Sequence, residues 1–200
     1  DVMKKHSPLL PDDIVNAAIS LAETKSWEEV RLADIATTLG TDLTFIWQYY
    51  REKDELIDAF FDRADQAMLK ASAAEEIDAL SSQQKLHLLL MAWFTALANH
   101  RRIVRQMIRG KLEPGHLHIQ IPALLRVSRT VQWWREAAKR QATGCRRAIE
   151  ESILTAVYLA TFCYWLFDDS PHATATSHFL EKKLSRLSKL SHRLRCKKEA

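Results

Sequence analysis

Apolar positions recur at three- and four-residue intervals along most of this 200-residue chain, and Pro, Gly and Asp/Ser clusters cut the pattern into helix-sized pieces. Ile14, Val15, Ala18, Leu21 and Ala22 follow Pro11-Asp12-Asp13, residues suited to a helix N-terminus, so the spacing predicts a first helix from Pro11 to about Thr24. Trp27 is expected to close the turn after it. Leu32, Ile35, Ala36 and Leu39 share one face of a second helix, about Arg31 to Leu39, which ends at Gly40. Asp42 then caps a short third helix reaching about Tyr49, with Leu43, Ile46 and Tyr50 inward and Thr44, Trp47 and Gln48 outward. A fourth helix opens at Glu52 or Lys53 and runs through Leu56, Ile57, Phe60 and Phe61 to about Ala71, long enough to join two lobes rigidly.

Between Ala71 and Gln84 the chain changes character, with small residues, Glu75-Glu76 and Ser81-Ser82, which sets the expected domain division at residues 1–70 and 71–200. Further helices are predicted from Gln84 to His100 around Trp93-Phe94, from Ile103 to Lys111, and, after a break at Glu113-Pro114-Gly115, from Pro122 to about Thr143. Arg146 to Phe167 is long and apolar. Asp168-Asp169-Ser170-Pro171 stops it, because Pro171 cannot continue a helix and disfavours a helical Ser170. A last helix is expected from Thr174 to Leu194, and no repeat of fixed period is visible.

Composition agrees with an all-α fold: 47% of residues are hydrophobic, and only four Gly and five Pro are present. Cys145, Cys163 and Cys196 lack the number and spacing of a disulfide framework or zinc site, which makes reducing cytoplasm the simplest compartment. The longest apolar run, Ile153 to Phe167, falls short of the roughly 18 to 20 residues needed to span a bilayer. No signal-peptide pattern opens the chain, and its start at Asp1 rather than Met leaves upstream residues open. The histidines, including His116-x-His118, have no partner at catalytic or metal-ligand spacing, and neither a phosphate-binding Gly-rich loop nor a nucleophile elbow occurs. The expectation is a non-enzyme with no catalytic residue, metal or cofactor.

Charge is unevenly spread. Residues 1–60 hold six Lys/Arg against twelve Asp/Glu, whereas residues 101–200 hold twenty against eight. Phosphate neutralisation dominates nonspecific affinity for DNA, so an acidic reader must gather its few cations on one face. That requirement opposes an otherwise clear layout: a helix ending at glycine, a short turn and a helix restarting at a capping Asp present a second helix to a nucleic-acid groove. The bland alternative is a helical hairpin whose aromatics are core.

Ala17-Ala18 and Leu21, then Ile35-Ala36 and Gly40, then Trp47-x-Tyr49-Tyr50-x-x-Lys53-x-x-Leu56, resemble the TetR family of bacterial one-component regulators over residues 11 to 60. The resemblance implies a three-helix helix-turn-helix head on double-stranded DNA, followed by a helical ligand-binding and dimerisation body. It places Trp47 where a phosphate-bonding tyrosine is usual, Gln48 where a histidine touches base or phosphate, and Lys53 where a lysine meets the DNA backbone at a helix N-terminus. Thr41 and Thr44 add hydroxyls at the entry to the third helix, and Phe45 stands where a small or hydroxyl residue usually faces DNA. A two-fold dimer would read half-sites about 34 to 36 Å apart.

For the body, Trp93, Met107, Trp133, Trp134, Tyr158 and Phe162 are the expected wall of a pocket for an apolar effector, with ordinary core as the alternative for each. The last helix carries Leu180, Leu184, Leu187, Leu190 and Leu194 in one stripe amid basic residues. Under the TetR resemblance the last two long helices form the homodimer interface. Ala156-Val157-Tyr158, Leu166 to Pro171 and Phe179-Leu180-x-x-Lys183-Leu184 also resemble the end of the lipid-binding accessory proteins of ubiquinone biosynthesis. Two functions follow. The first is a DNA-binding transcription regulator, a repressor, whose operator affinity shifts when an effector tilts the fourth helix. The alternative is a lipid- or quinone-binding accessory protein without DNA binding, its basic last helix touching membrane.

Overall fold

The computed structural model describes residues 9–111 and 117–196, with side chains described outside 110–124 and 190–196. All regular structure among them is helical: α1 (Pro11–Thr24), α2 (Leu32–Leu39), α3 (Leu43–Tyr49), α4 (Lys53–Ser72), α5 (Ser82–Leu97), α6 (Arg101–Lys111), α7 (Leu117–Ala137), α8 (Gly144–Leu166) and α9 (Thr174–Cys196), joined by short 3-10 turns. The expected break at Glu113-Pro114-Gly115 and the histidine at His116 lie outside the described residues.

Packing divides the chain into two compact units. The first gathers the described residues up to Asp62 together with those from His100 through Lys111, and the second gathers Arg63–Asn99 and the described residues from Leu117 onward. The border therefore falls inside α4, not at residue 70, and α6 returns to the first unit. Its apolar side explains the return: Ile103, Val104 and Met107 are buried, α6 packs on α1 and on the Trp27–Glu29 turn, and Gln106 accepts a 2.8 Å bond from the Trp27 amide. Arg102 donates to the carbonyls of Glu23 (2.7 Å) and Ala22 (3.3 Å), satisfying orphan acceptors at the C-terminus of α1. A sequence window cannot see such pairing across some eighty positions.

In the second unit α5 packs on α7 and α9, and α8 packs on the same two helices. Leu89, Leu90, Trp93, Phe94, Val131, Trp134, Trp165 and Leu180 form its centre. Leu180 and Leu184 of the final stripe are buried and Leu187 is half-buried, while α9 remains helical to Cys196, past the expected end at Leu194.

Two boundaries differ from expectation for local reasons. α7 begins at Leu117, before Pro122, so that proline lies within the first turns of the helix instead of opening it. It ends at Ala137 because Lys139 takes the left-handed conformation (φ 55°), with its amide on the Glu136 carbonyl (2.9 Å) and the Arg140 amide on the Arg135 carbonyl (3.1 Å). That is a Schellman cap built on lysine, with no glycine to announce it. After α8, Asp168 accepts from the amides of Ser170 and Thr176, both 2.8 Å, and fixes the turn in which His172 and Ala173 also have positive φ.

Candidate nucleic-acid interface and effector body

The turn between α2 and α3 is closed from both sides. Gly40 adopts φ +66°, its amide reaches the Thr37 carbonyl at 3.1 Å, and the Thr41 amide reaches the Ala36 carbonyl at 3.0 Å. These bonds make another Schellman cap, here on the residue that enters the left-handed region without a Cβ penalty. Two residues on, the Asp42 carboxylate accepts from the Phe45 amide at 3.0 Å and starts α3.

α3 is anchored by one fully buried side chain, Ile46. The inward set expected from spacing is only partly realised: Tyr50 is half-buried, and Leu43 is 54% exposed. Leu43 is the first helical residue, and a seven-residue helix has too few turns to bury an entire stripe. Thr44, Trp47 and Gln48 share the solvent side, with Trp47 58% exposed. Thr41 is half-buried at the entry, and Phe45, also half-buried, meets Tyr49 edge-on at 5.3 Å.

Lys53 is not on that open face. Its ammonium donates to the Trp27 carbonyl and to the Glu28 carbonyl (3.1 Å), and lies 5.0 Å from the centre of the Trp27 ring. Burial lowers its pKa, offset in part by Asp54 and Glu28. The N-terminus of α4 is likewise filled from within, because the Glu55 carboxylate accepts from the amides of Arg51 (2.6 Å) and Glu52 (3.3 Å). Sequence reasoning missed Arg51, which is exposed and has its guanidinium 5.3 Å from the Trp47 ring centre. Its signal was the four-residue spacing from an outward tryptophan.

In the second unit the six expected pocket residues separate. Trp93, Tyr158 and Phe162 come together, Trp93 meeting Tyr158 edge-on at 5.5 Å and Phe162 at 6.0 Å, with Tyr158 and Phe162 stacked. Trp134 is buried and donates its indole N–H to the Leu86 carbonyl at 2.9 Å. Trp133 is 48% exposed on the other side of α7, and Met107 is buried in the first unit, on α6. An adjacent tryptophan pair cannot face one way on a helix, and α6 packs by its own apolar side, which explains both departures.

Asp65, buried on α4, collects donors from three directions: the Trp93 indole (2.8 Å), the Thr130 hydroxyl (3.1 Å) and the Arg126 guanidinium (3.0 Å). Burial pushes the Tyr158 phenol far up, and the Asp65 charge adds to the shift. The three donors satisfy a carboxylate buried inside an aromatic core. A separate open hollow of about 750 Å³ lies over Cys163, Tyr164, Phe167 and Phe179 on α8 and α9, with Asp168 and Asp169 at its edge. Among the described residues no cluster of His, Cys, Asp or Glu has the makings of a metal site, and no helix is long and apolar enough to cross a membrane.

Known proteins resemble the chain in whole and in part. A solved TetR transcriptional regulator from Nitrosomonas europaea ATCC 19718 is 50% identical, covers 88% of this chain and 95% of its own, and superposes with a TM-score of 0.78. A TetR transcriptional regulator from Rhodococcus sp. RHA1, 17% identical, shares the fold with a TM-score of 0.67 over 88% of this chain and 93% of its own. An HTH-type transcriptional repressor from Mycobacterium tuberculosis (strain ATCC 25618 / H37Rv) is 33% identical over 61 residues, 30% of this chain; the match spans only 23% of that repressor's length. Residues 146–191, confined to α8, α9 and their turn, match the family model described as COQ9. At 50% identity over 88% of this chain and 95% of the Nitrosomonas regulator, the chain belongs to the TetR family of transcriptional regulators.

Proposed function

We propose that this protein is a DNA-binding transcription regulator, acting as a repressor, whose operator affinity responds to an apolar small molecule. The single observation that carries the reading is the solvent face of α3. Thr44, Trp47 and Gln48 stand outward on a helix fixed by the Gly40 and Asp42 caps, in a chain half identical to a TetR regulator. Phosphate contacts would position this face and Gln48 would read a base edge. The reading helices α1 to α3 lie within residues 1–70, in the unit that α6 also joins. Residues 71–200 supply the effector site around Trp93, Tyr158 and Phe162 and the homodimer interface on α8 and α9, where Leu159, Tyr164 and Phe167 are exposed. Effector binding would act through α4, the helix that begins beside α3 and carries Asp65 into the body.

The acidity of the head is less severe than its first sixty residues imply. α6 brings Arg101, Arg102, Arg105, Arg109 and Lys111 into the same unit. A titration of the full chain against a duplex of its own upstream region tests the proposal: sequence-selective binding that weakens steeply with salt is expected, with Gln48→Ala and Thr44→Ala reducing selectivity. The match of residues 146–191 to COQ9 supports a second reading, a lipid-binding accessory protein. Binding to anionic vesicles with indifference to duplex DNA would favour it.

A further inference from the structure

The geometry points to Arg51, not Lys53, as the side chain that grips the DNA phosphodiester backbone beside α3, with Trp47 holding its guanidinium in place. This assignment rests on the DNA-reading proposal and names the partner group within it. Three observations on the same few residues carry it. The Lys53 ammonium, the cation the family pattern would put on phosphate, is half-buried and donates to the carbonyls of Trp27 and Glu28, so reaching DNA would strip it of both acceptors and of the Trp27 ring. The backbone amides at the N-terminus of α4 are equally committed. Glu55 caps those of Arg51 and Glu52 with its carboxylate, which occupies the anion position and repels a second anion there.

Arg51 has the opposite surroundings. It is exposed, its guanidinium lies over the Trp47 ring, and among the described residues no carboxylate pairs with that guanidinium. An arginine held against an indole keeps its charge and loses little freedom on binding, and its planar fork of N–H donors matches two phosphate oxygens at once. Trp47 lies on the same outward side of α3 as Thr44 and Gln48, so the held cation flanks the reading face. Lys53 serves the fold instead. It fastens the start of α4 to the Trp27–Glu29 turn.

The test is the salt dependence of duplex binding by the full chain, measured by fluorescence anisotropy with its own upstream duplex and a scrambled duplex of equal length. Each phosphate contact contributes about 0.9 to the slope of log K against log salt, so Arg51→Ala is expected to flatten the slope by about 1.8 for two protomers on both duplexes. Arg51→Lys should restore most of the slope. Lys53→Met should leave the slope at the parent value while lowering the melting temperature of the protein, read by circular dichroism. An unchanged slope in Arg51→Ala, or a flattened one in Lys53→Met, overturns the assignment. If the parent binds neither duplex even at low salt, the DNA-reading proposal itself falls and the assignment falls with it.

Discussion

Trp47 on α3 and Trp93 on α5 are the same side chain in opposite situations: one is 58% exposed beneath an arginine, the other fully buried with its indole N–H 2.8 Å from the Asp65 carboxylate. The contrast extends to their helices. α3 is seven residues long, needs only Ile46 as an anchor, and leaves its other positions free to meet a partner. α5 commits Leu86, Leu89, Leu90, Trp93, Phe94 and Leu97 to the core, so a change there is felt first as stability. Under the proposed function the first unit separates holding the fold from meeting DNA, whereas in the second the side chains that hold the core would also have to meet the effector.

Asp65→Ala presses hardest on that contrast. It leaves the nearly buried Arg126 guanidinium without its carboxylate and takes the acceptor from Trp93 and Thr130, for an expected loss of about 3 to 5 kcal/mol in denaturant unfolding. A loss below about 1 kcal/mol would mean that the cluster is not integral to the core. Acid should act next, through Asp168. Burial alone would raise its pKa, but the hydrogen bonds from Ser170 and Thr176 outweigh burial and bring it down to about 2. A carboxylate with a depressed folded-state pKa stabilises fully above its ordinary value near 3.8 and loses that contribution as pH falls toward 2. Unfolding free energy should therefore drop by about 2 kcal/mol across that window, and Asp168→Asn should flatten the drop. Gly40→Ala should cost less, about 1 to 2 kcal/mol, all of it backbone strain, because a Cβ there meets nothing within 4 Å.

These sites also mark how far the chain could be read without coordinates. Pro11, Gly40 and Asp42 are local punctuation, and the first four helices fall within a residue or two of their expected ends. The same signals fail where the cap is not written in the sequence, as at Lys139, or where a proline sits inside a helix, as in α7. Side-chain partners were less legible than elements. Spacing placed Thr44, Trp47 and Gln48 outward, which the structure repeats, yet nothing within a window shows that Lys53 turns back on Trp27, a residue twenty-six positions earlier. Only residue type groups Met107 and Trp133 with Trp93. Residue type reports what a side chain can do, and only packing decides which unit and which face it serves.

The smallest effect on stability should come from Trp47→Ala, and it sharpens the comparison most. The ring is mostly in water, so its removal forfeits an exposed cation–π contact of about 0.5 to 1 kcal/mol and little buried area. Unfolding free energy should change by no more than about 1 kcal/mol, whereas duplex affinity should fall at least tenfold, because Arg51 loses its support and α3 loses its largest outward surface. Trp47→Phe retains a ring beneath Arg51 and should recover part of that affinity. Were Trp47→Ala instead to destabilise the protein as strongly as a core truncation, about 3 kcal/mol or more, α3 would be a packing element after all and the division of labour between the two tryptophans would vanish.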